Sequence, residues 1–178
     1  MLNRTHALTG VSGWLILATI FHEHINPGVA VAGAALACLT AQVPDIDHPE
    51  SKPGRILNSI APNMSELIEQ RFGHRGITHR ILTAITAGGI ASLCLYALSP
   101  SLWWLGLAIG IGWIIHILGD CLTHSGVMMF APFSKVVVRP PYGWRLKTGG
   151  DFEMLVLRPT VTILVIVSAA SYFYSLMT

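Results

Sequence analysis

Long apolar runs separated by short polar interruptions dominate this chain. From Ile81 to Gly119 no Asp, Glu, Lys or Arg occurs, and Ser99-Pro100-Ser101 divides that run near its middle. Each half is close to the roughly 20 residues that cross a bilayer core as a helix. The pattern therefore predicts two helices joined by a tight turn. A second uncharged run lies between Arg4 and Glu23 and a third between His24 and Asp45, with Asn26-Pro27-Gly28 near the turn between them. After Arg158 the sequence is again free of charge. The expected fold class is all-α, a polytopic membrane protein of about five transmembrane helices, since backbone groups in lipid must be satisfied within the segment. The first two helices are somewhat short, which calls for tilt, local thinning or burial among neighbours. The length fits one membrane-embedded domain over residues 1–178.

Two polar segments, 44–80 and 120–158, interrupt the apolar pattern. In the first, Pro44 is expected to end the second span, and Pro49, Pro53 and Gly54 mark turns. Residues 55–72, RILNSIAPNMSELIEQRF, read as short amphipathic helices broken near Pro62 and lying on the membrane surface. The second segment opens with GVMMFAPF, a candidate interfacial loop, and VVVRPPYGWRLKTGG has room for a short strand or hairpin.

Composition sharpens this picture. At 52% hydrophobic, 11% charged and a mean hydropathy of +0.59, the chain is too apolar for an ordinary soluble domain. The net charge of +2 says less than its distribution. All 11 Lys and Arg fall on the side of the N-terminus and the two polar segments, and the turns at 22–27 and 99–101 contain none. The positive-inside rule makes that shared side, and both polar segments, cytoplasmic. The bilayer is the expected partner, with no nucleic acid. Arg4 ahead of an apolar stretch imitates a signal peptide, but no small-x-small site precedes His22-Glu23-His24, so the segment is expected to be retained. Cys38, Cys94 and Cys121 have neither zinc nor disulfide spacing.

The basic side also collects every acid except Glu23 and every histidine except His22 and His24. The clusters are His6, PDIDH at 44–48, HRGITH at 74–79 and HILGDCLTH at 116–124. Arginines beside a span can be a simple membrane anchor. Ionisable groups at membrane depth, such as His116 and Asp120, are costly and point to function. His116, Asp120 and His124 are spaced i, i+4 and i+8, along one face if the helix continues. Asp45 and Asp47 flank a single residue, so an extended segment would present both carboxylates together. Imidazole and carboxylate ligands suit zinc, with iron or manganese open. Glu153 falls just before the final span, where the chain returns to the same interface.

The order PDIDHP, FGHRGITH, HILGDCLT, then Gly126 and a Gly-x-x-Glu at 150–153, resembles the LexA-regulated, inner-membrane-associated metal-dependent hydrolase family. The likeness covers nearly the whole chain. It implies a multi-pass protein of the bacterial inner membrane classed as a hydrolase. The family pattern falls on His6, Asp45, Asp47, His48, His74, His79, His116, Asp120 and Glu153. Its HxxxD element is distantly similar to that of zinc-dependent phospholipase C and single-strand nucleases, which cleave phosphoesters with several zincs. Two positions depart from the family. Arg80 stands where a small hydroxyl residue is usual, and His124 follows a Thr after which other residues are common.

The leading expectation is a metal-dependent hydrolase cleaving a phosphoester, such as a phospholipid or isoprenoid phosphate, at the cytoplasmic face. Two or three divalent ions, zinc above all, would be held by His6, Asp45, Asp47, His74, His79, His116 and Asp120, with Asp45 or Asp47 bridging. Arg75 and Arg80 would hold phosphate oxygens. His48 or Glu153 would donate a proton or orient a ligand. The rival readings are a metal-ion transporter or sensor using the same residues without chemistry, and a scaffold with a structural metal.

Overall fold

A computed structural model describes all residues from Met1 to Thr178. Seven α-helices form: α1 (Asn3–Ile20), α2 (Pro27–Thr40), α3 (Lys52–Ile60), α4 (Met64–Phe72), α5 (Ile81–Leu98), α6 (Trp103–Cys121) and α7 (Arg158–Ser175). Two antiparallel hairpins, α1–α2 and α5–α6, arise where the apolar pattern places them. Asn26 starts α2 by accepting the Val29 N–H at 3.0 Å, and Pro27 follows at the first helical position, where its missing N–H costs nothing.

Four helical stretches are long and apolar enough to cross a membrane: Pro27–Asp47, Ile81–Leu98, Pro100–Cys121 and Phe152–Ser175. The α1 helix, expected as a fifth span, falls outside that set because Asn3, Arg4 and His6 in its first turn dilute its apolar character. It nevertheless packs against α2, α6 and α7 at the centre of the bundle. Its hydroxyls turn back on the helix, Thr9 Oγ1 to the Thr5 carbonyl at 3.0 Å and Ser12 Oγ to the Thr9 carbonyl at 2.9 Å. Trp14 is wholly buried, donates Nε1–H to the Ala30 carbonyl at 2.7 Å and packs its indole where a side chain on Gly33 would stand. The outer helices α5 and α7 expose Ile85, Leu93, Ile163 and Phe173, the pattern of a lipid-facing surface.

Small residues bring the helices close. A Cβ on Gly106 would stand 2.2 Å from the Ser92 nitrogen of α5, and one on Gly112 would stand 2.4 Å from the Ala37 oxygen of α2. Close backbone approach at Gly and Ala is how membrane helices gain packing, since lipid offers no hydrophobic drive between them.

The polar segments differ from expectation in three places. The α2 helix stops at Thr40, and a 3-10 turn, Val43–Asp47, carries the chain past Pro44. Pro53 and Gly54 sit in the first turn of α3, with Ser51 capping it through the Gly54 N–H at 2.9 Å. The break near Pro62 falls as expected, between α3 and α4. The 136–150 segment, expected to have room for a short strand or hairpin, forms no strand. It has isolated bridges at Thr123–Leu146 and Val127–Val138, and Pro140-Pro141, without N–H groups, cannot extend a ladder.

Candidate metal centre

Four side chains from three distant parts of the chain converge at one end of the bundle. His116 and Asp120 lie one turn apart in α6, Asp45 sits in the 3-10 turn after α2, and His79 ends the loop before α5. One donor atom from each falls within 4.8 Å of all the others. His79 and His116 are fully buried, Asp120 nearly so, and Asp45 keeps an edge toward solvent.

Ring tautomers follow from the neighbours. His116 Nδ1 lies 2.8 Å from the Ala41 carbonyl, which can only accept, so Nδ1 carries the proton and Nε2 a lone pair. His79 Nδ1 lies 3.0 Å from Thr78 Oγ1, whose single proton is donated to Asp47 Oδ2 at 2.7 Å. Nδ1 of His79 must then be the donor, leaving its Nε2 bare as well. The two bare nitrogens face each other at 3.3 Å. Asp45 Oδ1 is 3.6 Å from His116 Nε2 and 3.8 Å from His79 Nε2. Asp120 Oδ2 is 3.9 and 3.8 Å from the same atoms. Two lone pairs and two carboxylate oxygens converge on one point, and an Arg75 guanidinium nitrogen 2.7 Å from Asp120 Oδ2 offsets part of the charge gathered there. Tetrahedral zinc with bonds near 2.0–2.1 Å would have ligand–ligand edges of about 3.3–3.4 Å, so the donor set fits with small contraction.

Asp47 takes another place. A 3-10 turn has about three residues per turn, so positions i and i+2 point apart. The extended reading of PDIDH is corrected accordingly: Asp45 faces the donors and Asp47 lies behind them. There it accepts the Arg75 N–H at 3.0 Å and the Thr78 hydroxyl, and pairs with His74 Nδ1 at 3.2 Å. These bonds hold HRGITH in shape, including Arg75 in a left-handed conformation at φ +59°. Gly76 is required where the loop doubles back, since a Cβ would meet the Phe72 carbonyl at 2.0 Å. The hydrogen bond to Asp47 holds the His74 imidazole above its ordinary pKa. Thr78, not singled out in the sequence, is the relay between Asp47 and His79; a hydroxyl directly before a ligand-type His was the available signal.

Asp120 is ringed by polar nitrogens. The Met1 ammonium reaches Oδ1 at 2.8 Å, His6 Nε2 reaches Oδ1 at 3.1 Å, and an Arg75 guanidinium nitrogen reaches Oδ2 at 2.7 Å. The His6 ring also stacks on His116, centroids 3.8 Å apart. Arg75 is held from behind by the Gly126 carbonyl at 3.0 Å. His48 and His74 are exposed at the mouth, their ring centroids 5.0 Å apart. Glu153 is buried, with Oε1 accepting the Leu2 N–H at 2.7 Å and Oε2 the Gly149 N–H at 2.8 Å, an arrangement that fits orienting α1 and its His6 rather than giving up a proton. His124 does not continue the His116–Asp120 face. The α6 helix ends at Cys121, and His124 turns outward to the Leu146 carbonyl at 3.1 Å. Arg80 makes no side-chain hydrogen bond, and its Nε is buried without a partner. Cys121 faces Met129, away from the donors.

The fold and centre together define a multi-pass membrane protein with a buried His/Asp cluster able to hold a metal ion. The chain belongs to the YdjM inner membrane protein family, whose model matches residues 1–177. It is 30% identical to the Bacillus subtilis protein YvsG over 176 residues, covering 99% of this chain and 96% of the relative. It is 38% identical to inner membrane protein YdjM of Escherichia coli over 100 residues, 54% of this chain and 47% of the relative. That match therefore spans about half of YdjM's length. No solved structure matches the chain. The protein is thus an inner membrane protein.

Proposed function

We propose that the protein is a metal-dependent hydrolase cleaving a phosphoester, a phospholipid or an isoprenoid phosphate, at the cytoplasmic face. The reading rests on the convergence of bare His79 and His116 Nε2 atoms with Asp45 and Asp120, beside the Arg75 guanidinium. The chemistry a divalent ion supplies in such a setting is Lewis-acid activation of water and neutralisation of charge on phosphoryl oxygens. Zinc is the proposed ion, and a second or third would draw on Asp47, His74 and His48. Arg75, whose guanidinium also bonds Asp120 and the Gly126 carbonyl, is the proposed partner of the phosphoryl oxygens and of the charge that builds on them. His48, exposed at the mouth, is the proposed proton donor to the leaving oxygen. The cytoplasmic orientation is supported by the cations gathered on the centre's side. A cysteine placed at Lys147 should resist an impermeant thiol reagent in intact cells while one at Asn26 reacts; the reverse pattern would invert the site.

A transporter is less favoured because the donors lie at span ends, whereas transport sites sit near the bilayer midplane. The four protein donors do favour one competing reading, a closed structural metal. Activity separates the two. Purified, metal-replete protein should hydrolyse a member of a panel of phospholipids, isoprenoid phosphates and nucleotides. Arg75→Ala should slow that turnover about 100-fold with metal content unchanged. Metal-replete protein inert toward the whole panel would leave the structural reading standing.

A further inference from the structure

A separate cleft of about 750 Å³ opens beside the centre, where the ends of α1, α2 and α7 meet the start of α3. Three elements send four cations to its walls: Arg4 from α1, Lys52 and Arg55 from α3, and Arg158 from the start of α7. None of the four lies within ion-pair distance of an acid, although Glu50 also lines the cleft. The Nε of Arg158 is buried and has no hydrogen-bond partner. Unneutralised like charges brought together by separate elements repel, and an anion between them relieves that repulsion. The first turn of α3 adds the positive end of its dipole on the same side. Leu2 and Met154 supply an apolar wall beside these cations, at the level where the spans end.

We propose that this cleft binds a phosphate-bearing anion, presented as a lipid headgroup or as a soluble phosphate ester. The charge count calls for phosphate rather than a single carboxylate, and the volume accommodates a headgroup with its glycerol. The combination of cationic floor and apolar wall matches the boundary between headgroup and acyl chain. The cleft is distinct from the metal centre. The 3-10 turn carrying Asp45 separates them, with Ser51 Oγ on the cleft side donating to the Asp45 carbonyl at 2.6 Å. Binding here does not depend on whether the centre holds an ion or performs catalysis.

The test uses the full chain purified in a neutral detergent, titrated by calorimetry with short-chain phosphatidylglycerol, phosphatidylcholine of the same chain length, and glycerol 3-phosphate. Phosphatidylglycerol should bind more tightly than phosphatidylcholine. Exchanging both Lys52→Gln and Arg55→Gln should weaken phosphatidylglycerol roughly thirtyfold, the effect of two lost interfacial cation contacts. The charge-preserving pair Lys52→Arg and Arg55→Lys should restore it, which guards against a folding defect. Lys135→Gln with Arg139→Gln, on the other polar segment, should leave affinity unchanged. Glycerol 3-phosphate bound through the same cations supports the site with a soluble source, and lipid-only binding supports it with a membrane source. Equal affinity for the two lipids, or equal loss in both glutamine pairs, would overturn the proposal.

Discussion

Purified His79→Ala protein is expected to lose its bound metal, with affinity reduced more than about 100-fold. The basis is that His79 is fully buried and supplies one of the two bare imidazole nitrogens among the four converging donors. Thr78→Val should act through the same ring at a distance. Removing the hydroxyl breaks the path from Asp47 through Thr78 to His79 Nδ1, and losing such an orienting partner costs about 10–100-fold in metal affinity. His22→Ala is the control, since His22 lies at the opposite end of the bundle and contacts only the Thr19 carbonyl. His124→Ala should also retain metal, because its ring is turned to Leu146. Elemental analysis of the four variants checks the series. Full metal in His79→Ala would remove the basis for the centre.

Gly112→Ala is expected to lower the thermal midpoint in detergent by about 10 °C, from an overpacking cost of about 3 kcal/mol. Its new methyl would stand 2.4 Å from both the Ala37 carbonyl oxygen and Thr40 Oγ1. The Thr40 hydroxyl can rotate away, but the Ala37 carbonyl is helix backbone and cannot yield without parting α2 from α6. That separation also strains the centre, because His116 follows on α6 and accepts alignment from the Ala41 carbonyl at the end of α2. Metal affinity should therefore fall together with stability. Gly110→Ala provides the contrast. Its methyl would meet nothing nearer than the Gly88 Cα at 3.6 Å, an ordinary contact, and the midpoint should move by no more than about 2 °C. Equal melting of the two variants would show that the α2–α6 approach is not close.

The sequence by itself determined the helical class, the two hairpins, the break near Pro62 and the side of the molecule where chemistry collects. Each of these depends on local rules. Uncharged run length sets a span, proline and asparagine set its ends, and the cost of burying charge keeps His and Asp near the interface. The pairing of His116 with Asp120 was likewise legible, since four residues return to the same helix face. The tertiary structure decided which donors meet. Asp45 and Asp47 part because their segment is a 3-10 turn, a backbone choice that PDIDH alone did not reveal. His124 leaves the His116 face because α6 ends at Cys121. The short first helix left tilt, local thinning and burial among neighbours all open, and the packing of α1 against α2, α6 and α7, with His6 against Asp120, decided for burial. Chain order put the cations on one side but did not gather four of them into a cleft. Lys52 and Arg55 are neighbours by their spacing within α3, but Arg4 and Arg158 join them only through the crossing of α1, α2 and α7, and such long-range crossings are set by side-chain packing between helices, which no local pattern records.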